Sequence, residues 1–352
     1  MRSEEVKRLA RDCGFELAGI AAAGPLPEAG FYRDWVRDGM AGEMRYLTGR
    51  RGDMRADPRT LLPSAHSILC VGKLYNGPEA HSTEFTAPER AWISRYAWGE
   101  DYHEVLGRGL ERLAAGIEAR AGEPLEWKIC VDTAPLLERA YARRAGLGWI
   151  GKNTCLIREG AGSWFFLGEL LLSLALDPDS PPPDRCGTCT ACIDSCPTQA
   201  LVPTGRPQPA WALDSRRCIS YYTIELRGAV PEQARADIGN QIFGCDICQD
   251  VCPWNRGAPV STDTAFAAVH FAPPLARLAA LSEPEFKTMF RDTPVLRARY
   301  TGFLRNVAIA MGNSGCETFR PALERLAGHS DFLVRSHAAI ALDRLGTGKA
   351  LK

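Results

Sequence analysis

Residues 186–197 of this chain read CGTCTACIDSCP. Four cysteines recur there at intervals of three, three and four residues, and a proline follows the last of them. They are Cys186, Cys189, Cys192 and Cys196. In two-cluster ferredoxins, the first three cysteines of such a run bind one 4Fe-4S cluster and the fourth binds its neighbour. The stretch therefore predicts a ferredoxin-like unit that holds two clusters side by side.

A second cysteine run follows about fifty residues later and repeats the closing part of the first. Ile242 stands where its first cysteine should be, so one ligand is missing. Cys218 is the other cysteine of this region. With one cysteine exchanged between the runs, two ligand sets are predicted. The first set is Cys186, Cys189, Cys192 and Cys252. The second set is Cys196, Cys218, Cys245 and Cys248.

Tetrahedral zinc is the alternative to these clusters, because cysteines at C-x-x-C spacing also suit that metal. Three cysteines on one tight loop, with a remote fourth beside a proline, favour the iron–sulfur cube. The other five cysteines stand among apolar neighbours, and we predict that they are buried small side chains. They are Cys13, Cys70, Cys130, Cys155 and Cys316.

The composition of the 352 residues is that of an ordinary folded protein, with a formal net charge of zero. A polyanion must therefore be met by a local basic patch. Glu169 interrupts the longest apolar run, which is shorter than the roughly 20 residues that span a bilayer. No secretory pattern opens the sequence, and Arg50-Arg51 lies too far inside for a twin-arginine signal. We expect a cytoplasmic protein without membrane contact, whose cysteines form no disulfides.

The organisation of the chain predicts an α+β protein of three units. Residues 1–176 mix helical stretches with strand-like runs such as 67–74 and 125–131, which predicts an α/β domain. A proline-rich linker opens the cysteine-bearing unit, residues 177–258. Residues 259–352 read as helices. There, residues 305–315 can be laid over residues 336–346, which indicates HEAT-like helical units, with a plain helical bundle as the alternative.

Three motifs precede the cysteines in a fixed order. They are RYAWGEDYH at 95–103, VDTAP at 131–135 and RAGLGWIGKN at 144–153. Together with the clusters and the helical C-terminus, they resemble the epoxyqueuosine reductases, and the likeness covers essentially the whole chain. This family implies a base-off cobalamin beside two 4Fe-4S clusters, and reduction of epoxyqueuosine to queuosine at the wobble position of tRNA.

The resemblance implies that Asp132 is the catalytic acid that protonates the alkoxide left when the epoxide opens. Without the family, Asp132 fits equally well as the N-cap of a helix with Pro135 in its first turn. A helix N-terminus lowers the pKa of a carboxylate, which is unfavourable for a proton donor. Burial against the corrin would have to raise that pKa again.

The residues that the resemblance implies as cobalamin contacts are Arg55, Tyr96, Asp132, Lys152, Asn153, Ser163 and Phe165. For the glycine-rich segment before Lys152, a helix C-cap and turn is the alternative. His103, two residues after Asp101, narrowly misses the D-x-H-x-x-G pattern of cobalt-ligating histidines, because the glycine comes one residue late. Since the family binds cobalamin without a protein ligand, we interpret His103 as a structural or substrate-side residue.

Candidate tRNA contacts are arginines of the C-terminal helices, which could equally lie on solvated helix faces. They are Arg291, Arg297, Arg299, Arg305 and Arg335. Expected partners are tRNA carrying epoxyqueuosine and an unidentified low-potential electron donor, and nothing in the sequence requires more than a monomer. The competing functions are a reductive dehalogenase-like cobalamin enzyme and a ferredoxin-like electron carrier.

Overall fold

The N-terminal half of the chain combines helices with short and long strands. The structure is a computed structural model that describes residues 1–122 and 124–346. The helices of this half are α1 Ser3–Asp12, α2 Glu28–Arg37, α3 Gly49–Met54, α4 Tyr102–Ala121 and α5 Glu138–Arg144. Its strands are β1 Leu17–Ala22, β2 Ser67–Leu74, β3 Trp92–Ile93, β4 Trp127–Cys130, β5 Trp149–Ile150, β6 Leu156–Ile157 and β7 Phe165–Leu172.

The central sheet of this half has the strand order β1-β2-β7-β4, and all its pairings are antiparallel. The predicted strand at residues 67–74 is confirmed, and all eight of its residues are buried. The prediction of an α/β domain is wrong in the strict sense, because alternating elements give a parallel sheet only when each helix crosses over it. Here the helices cover both faces of an antiparallel sheet, so this half is itself α+β.

The two faces of the sheet carry separate apolar cores. On one face, α1 and α4 pack through Val6 and Leu110 against Leu69 and Leu170. On the other face, Tyr141 of α5 packs against Ile68. Coverage of both faces explains why the central strands are continuously apolar rather than alternating.

The cysteine-bearing segment contains short elements only. They are α6 Ala191–Asp194, β8 Leu201–Pro203, β9 Trp211–Leu213, α7 Glu232–Arg235, β10 Gln241–Phe243 and α8 Ile247–Asp250. Strand β10 pairs with β3 of the N-terminal half. Beside it, the buried carboxylate of Asp246 accepts hydrogen bonds from Trp92 Nε1 at 3.1 Å and from the Arg95 backbone N–H at 2.8 Å. These contacts join the segment to the N-terminal half.

The C-terminal part is helical, as predicted. Its helices are α9 Leu275–Ala279, α10 Glu283–Met289, α11 Tyr300–Ser314, α12 Arg320–Ala327 and α13 Phe332–Gly346. The two matched sequence stretches fall in α11 and α13, which cross so closely that a Cβ added to Gly312 would lie 2.7 Å from the Cβ of Ala341. Their shared core also takes in Trp92 and Phe243. Residues 347–352 of the predicted third unit lie outside the described residues.

Candidate active site

The predicted cluster cysteines come together in two groups. Cys192 has Cys252, Cys186 and Cys189 as its thiol neighbours. In the other group, Cys245 lies near Cys218 and Cys196, and Cys248 lies near Cys245 and Cys218. The members of each predicted ligand set therefore lie near one another.

The zinc alternative differs from the clusters in the arrangement that it needs. Tetrahedral zinc needs four sulfurs at about 2.3 Å from one centre. In a 4Fe-4S cluster, by contrast, each thiolate binds a different iron at a corner of the cube. Each arrangement uses four thiols, and each of the two groups above contains four.

Cys155 is a fifth thiol beside the second group, and the sequence did not distinguish it from the other scattered cysteines. Its thiol hydrogen-bonds with that of Cys248. Asn153 joins the same two residues, because its amide Nδ2 donates to the Cys248 carbonyl at 3.2 Å and its Oδ1 accepts from the Cys155 N–H at 3.2 Å. The prediction of buried thiols is confirmed for Cys70 and Cys130, which are 0% and 1% exposed. It is wrong for Cys13, Cys155 and Cys316, which are only partly buried.

Three of the predicted cobalamin contacts lie against the cluster loops. Lys152 Nζ donates to the carbonyls of Gly187 at 2.7 Å and Cys189 at 2.9 Å. Asn153 reaches Cys248, as described above. Ser163 accepts through its hydroxyl from Asn255 Nδ2 at 3.0 Å. These three side chains therefore brace the two cysteine runs against the N-terminal half.

Asp132 lies in a cavity of about 510 Å³ between the N-terminal half and the C-terminal helices. Residues that line it include Tyr46, Tyr96, Asp101, His103, Asp132, Glu225 and Arg297. Of the predicted cobalamin contacts, Tyr96 and Asp132 belong to this lining. Among the residues that the structure describes, Arg55, Lys152, Asn153, Ser163 and Phe165 are not in the lining.

His103 bridges two carboxylates at this cavity. Its Nδ1 lies 2.7 Å from Asp101 Oδ1, and its Nε2 lies 3.3 Å from Asp132 Oδ2. Burial acts to lower the pKa of His103, but the two carboxylates outweigh it and raise that pKa to about 9. Partial burial acts to raise the pKa of Asp132, yet the hydrogen bond and charge of His103 hold it below its usual value. At neutral pH the proton of this pair therefore rests on His103.

The loop that carries Asp132 is not a helix start. Helix α5 begins six residues later, at Glu138, so the N-cap alternative for Asp132 is wrong. Asp132 has a φ of 49°, in the left-handed region that few residues other than glycine adopt. Its backbone N–H donates to the carboxylate of Glu138. Burial, together with the charge of Asp132, raises the pKa of Glu138 to about 8.

The prediction that Arg305 contacts tRNA is wrong. It is 1% exposed, and its guanidinium donates to the backbone carbonyls of Leu226 at 2.9 Å and Gly228 at 2.6 Å and to that of Tyr222. Helical periodicity alone could not show that irregular backbone from another segment covers this side chain. Arg305 is therefore a buried structural residue.

The other predicted arginines differ in their surroundings. Arg335 donates to the carbonyl of His329 at 2.7 Å. Arg297 lines the Asp132 cavity, where its Nε donates to Glu225 Oε1 at 2.6 Å and its guanidinium lies 5.1 Å from the ring centre of Tyr46. Arg299 and Arg291 are exposed. Arg227, which the sequence did not single out, lies close enough to Arg299 for that charge to add to burial in lowering its pKa.

Comparison with known proteins decides the family. Residues 55–133 match the family model described as Epoxyqueuosine reductase QueG, DUF1730, and residues 185–255 match a 4Fe-4S double cluster binding domain. An epoxyqueuosine reductase of Xanthomonas campestris pv. campestris is 42% identical over 97% of this chain and 95% of its own length. The chain belongs to the epoxyqueuosine reductase family. The predicted resemblance is confirmed.

Solved structures of the family agree with this assignment. An epoxyqueuosine reductase in complex with an epoxyqueuosine-modified tRNA-Tyr stem loop superposes with a TM-score of 0.85 at 31% identity, over 97% of this chain and 90% of the other. A second one, from Bacillus subtilis, has its aspartate-bearing catalytic loop swung out of the active site. It superposes with a TM-score of 0.84 at 30% identity, over 97% of this chain and 90% of the other.

Membership of the family establishes the activity. The chain is an oxidoreductase that reduces epoxyqueuosine in tRNA, and its cofactors are two 4Fe-4S clusters and cobalamin. The electron-carrier and dehalogenase alternatives are set aside. In the described part of the chain, no helix combines the length and apolarity needed to span a membrane.

Proposed function

We propose that the cavity around Asp132 is where this chain reduces the epoxide of the wobble nucleoside, with Asp132 as the catalytic acid. The observation that supports this most directly is the Asp132 carboxyl itself. It is 49% exposed to the cavity, and its Oδ2 faces a histidine that carries a proton at neutral pH. The proton need not reside on Asp132 before the reaction, so a lowered pKa of Asp132 is compatible with its role as the acid.

The overall reaction converts an epoxide into an alkene and one water, which consumes two electrons and two protons. Opening the ring breaks one carbon–oxygen bond and leaves an alkoxide, a base much stronger than a carboxylate. His103 Nε2–H can pass its proton to Asp132 Oδ2, from which it reaches the alkoxide oxygen. The imidazolium is meanwhile stabilised by Asp101, which accepts from Nδ1–H at 2.7 Å.

The residues at the cavity are compatible with base-off cobalamin that has no protein ligand. His103 is the histidine nearest to Asp132, and both of its ring nitrogens are already engaged by carboxylates. It is therefore not free to ligate cobalt. When bound, cobalamin supplies a low-valent nucleophilic cobalt, and the clusters supply its electrons one at a time. We propose Tyr96 and Asp132 as cobalamin contacts at the cavity and retain Arg55, Lys152, Asn153, Ser163 and Phe165 as candidates.

For the two clusters, we propose the ligand sets that the exchange of one cysteine between the runs predicts. The first set is Cys186, Cys189, Cys192 and Cys252, and the second is Cys196, Cys218, Cys245 and Cys248. The grouping of their thiols in space supports both sets. Because Cys155 also contacts Cys248, it is the competing candidate for the fourth position of the second set.

For tRNA, we propose that arginines around the cavity mouth bind phosphates of the anticodon stem. Arg297 lines the cavity, and Arg299 and Arg227 lie beside it in space. Arg291, just after α10, and Arg335, in α13, remain further candidates. Cationic side chains at a cavity mouth position the backbone while a splayed base enters the pocket. A related protein was crystallised with an epoxyqueuosine-modified tRNA-Tyr stem loop, which supports a stem loop as the part of the tRNA that is bound.

The three predicted units remain our proposal for the layout of the chain. They are a cobalamin-binding domain at 1–176, a ferredoxin-like cluster domain at 177–258 and a HEAT-like tRNA-contacting domain at 259–352. The close crossing of α11 and α13 supports the repeat within the third unit. We further propose a monomer in the cytoplasm that takes electrons from a low-potential donor.

Replacement of Asp132 by asparagine tests this function. The variant keeps the shape of the side chain and loses the carboxylate, so turnover of tRNA bearing epoxyqueuosine is expected to fall by about 10²- to 10⁴-fold. Iron content and cobalamin binding should stay unchanged. Asp38→Asn is the matched control, because Asp38 is 52% exposed and its carboxylate pairs with the neighbouring Arg37 at 3.6 Å, away from the cavity. Full turnover in Asp132→Asn would remove Asp132 from the mechanism.

A further inference from the structure

The segment that carries Asp132 has few backbone partners of its own. Residues 131–137 connect β4 to α5 through two three-residue turns, in which the Thr133 N–H donates to the Val131 carbonyl and the Leu136 N–H to the Ala134 carbonyl at 2.8 Å. At the end of the loop, the Leu137 carbonyl accepts from the α5 amides of Ala140 at 2.9 Å and Tyr141 at 3.0 Å. The carbonyls of Thr133, Ala134 and Leu136, between Asp132 and that anchor, accept from side chains.

Two arginines of one short helical segment supply those partners. Arg51 Nη2 donates to the Thr133 carbonyl at 2.6 Å. Arg55 Nη1 donates to the Leu136 carbonyl at 2.7 Å and to the Ala134 carbonyl at 3.3 Å. Arg51 lies in α3 and Arg55 is its C-cap residue, four positions later, so the two side chains share one face of the helix. Hydrogen bonds from a charged donor are among the stronger ones in proteins.

The two arginines differ in burial, so that they hold the loop 131–137 from two sides. Arg55 is 6% exposed, so its guanidinium is fixed beneath the loop. Arg51 is exposed and closes over the loop from the solvent side. On the opposite side of the loop, Glu138 accepts from the N–H of Asp132.

The conformation of Asp132 requires such a clamp. A non-glycine residue in the left-handed region persists only where its surroundings over-determine it. Asp132 has a φ of 49°. Glu138 and His103 hold Asp132 directly. The arginine–carbonyl bonds fix the residues that follow it, so they add to the contacts that hold this conformation.

We propose that Arg51 and Arg55 are positioning residues for the reaction, which clamp the loop 131–137 so that Asp132 faces His103 and the cavity. The inference rests on the proposed role of Asp132, but the clamp itself can be measured without that role. Neither arginine touches the reacting atoms. Their effect is on the fraction of molecules in which Asp132 is in place.

Two variants test the clamp. Arg51→Ala removes an exposed side chain and is expected to fold normally. Arg55→Lys keeps the buried charge on a shorter side chain, whose ammonium group ends short of the position from which Arg55 Nη1 reaches both carbonyls. Each variant is expected to lower kcat by about 10- to 100-fold, as the loss of one or two charge-assisted hydrogen bonds implies. KM for tRNA should change little, because the cavity mouth is intact.

The matched control is Arg59→Ala. Arg59 belongs to the same part of the chain, but its guanidinium hydrogen-bonds with its neighbour Asp57, at a closest distance of 2.6 Å. It is expected to leave kcat and loop exchange unchanged. Iron content of all variants, and cobalamin absorption of Arg51→Ala and Arg59→Ala, should equal those of the original protein, which separates a loop effect from loss of cofactor. Lowered cobalamin absorption in Arg55→Lys alone would make Arg55 a cobalamin contact and overturn its positioning role.

Hydrogen–deuterium exchange of the holoenzyme gives the readout that is independent of activity. The amides of Thr133, Ala134 and Leu136 are expected to exchange at least about tenfold faster in Arg51→Ala and Arg55→Lys than in Arg59→Ala. Unchanged exchange in both variants would overturn the clamp.

Faster exchange with unchanged turnover would overturn the positioning role, and Asp132→Asn then distinguishes the cause. If Asp132→Asn is inactive, the present inference has failed, because the loop opens without consequence for an essential acid. If Asp132→Asn is fully active, the proposed function of Asp132 has failed instead.

Discussion

Replacement of His103 by glutamine tests where the reaction keeps its proton. Glutamine can still donate a hydrogen bond to Asp132 but cannot carry a proton that it exchanges near neutral pH. In the original protein, the pKa of His103 is raised from 6.5 to about 9 by Asp101 and Asp132, against the effect of burial. At pH 7.5 such a group is about 97% protonated. The variant therefore loses a proton donor that is protonated in almost every molecule.

The raised pKa of His103 also gives the free energy by which the two carboxylates stabilise its protonated form. A rise from 6.5 to about 9 corresponds to about 3 kcal/mol of stabilisation of the protonated histidine. Because this pKa is raised on folding, the stabilisation is complete below pH 6.5 and is lost as pH rises through about 9. The pKa of Asp132 is lowered, so its contribution is present above its ordinary value and is lost as pH falls through the lowered one. The pair is intact between these limits.

The assay is the pH profile of single-turnover reduction of tRNA bearing epoxyqueuosine. The original protein is expected to be constant near neutrality and to lose activity above about pH 9, where His103 deprotonates. His103→Gln is expected to be about 10- to 100-fold slower at pH 7.5. Without the imidazolium, partial burial raises the pKa of Asp132, so the variant should recover activity as the pH is lowered. His66→Gln, at an exposed position, is the control.

If the pH profile of His103→Gln keeps the shape of the original, with the same fall in activity above about pH 9, the titrating group is not His103. A variant with the original rate at pH 7.5 would show that the proton comes from elsewhere.

Two further predictions concern the clusters and the arginines. Cys218→Ala is expected to lose about four irons per chain and Cys155→Ala none, measured by iron analysis and electron paramagnetic resonance; the reverse pattern would make Cys155 the ligand. Arg305→Met should lower the free energy of unfolding by about 3 kcal/mol, because it removes a buried charge-assisted donor from the buried Tyr222 carbonyl and from the partly buried Leu226 and Gly228 carbonyls. Arg299→Ala should leave stability unchanged and reduce the salt slope of tRNA binding by about one. If both variants lose the same tRNA affinity and Arg305→Met is as stable as the original protein, the structural role of Arg305 is contradicted.

Features that depend on short stretches of chain were predictable from the sequence. The spacing of Cys186, Cys189 and Cys192 confines three thiols to one loop, so local geometry determines their chemistry. The buried strand at residues 67–74 follows from a continuous apolar run. The pairing of the sheet did not follow, because the same alternation of helices and strands is compatible with parallel and antiparallel order.

By itself, the sequence determined the two cysteine runs, the missing ligand and the motifs that identify the family. Only the tertiary structure decided what surrounds each charged side chain. Arg305 is buried because carbonyls 77 to 83 residues away close over it, and Asp132 meets His103 across 29 residues. Burial and pKa depend on neighbours brought from distant parts of the chain, whereas motif spacing depends on the chain between adjacent residues. The clusters can therefore be predicted from the sequence, whereas the surroundings of Asp132 and His103 cannot.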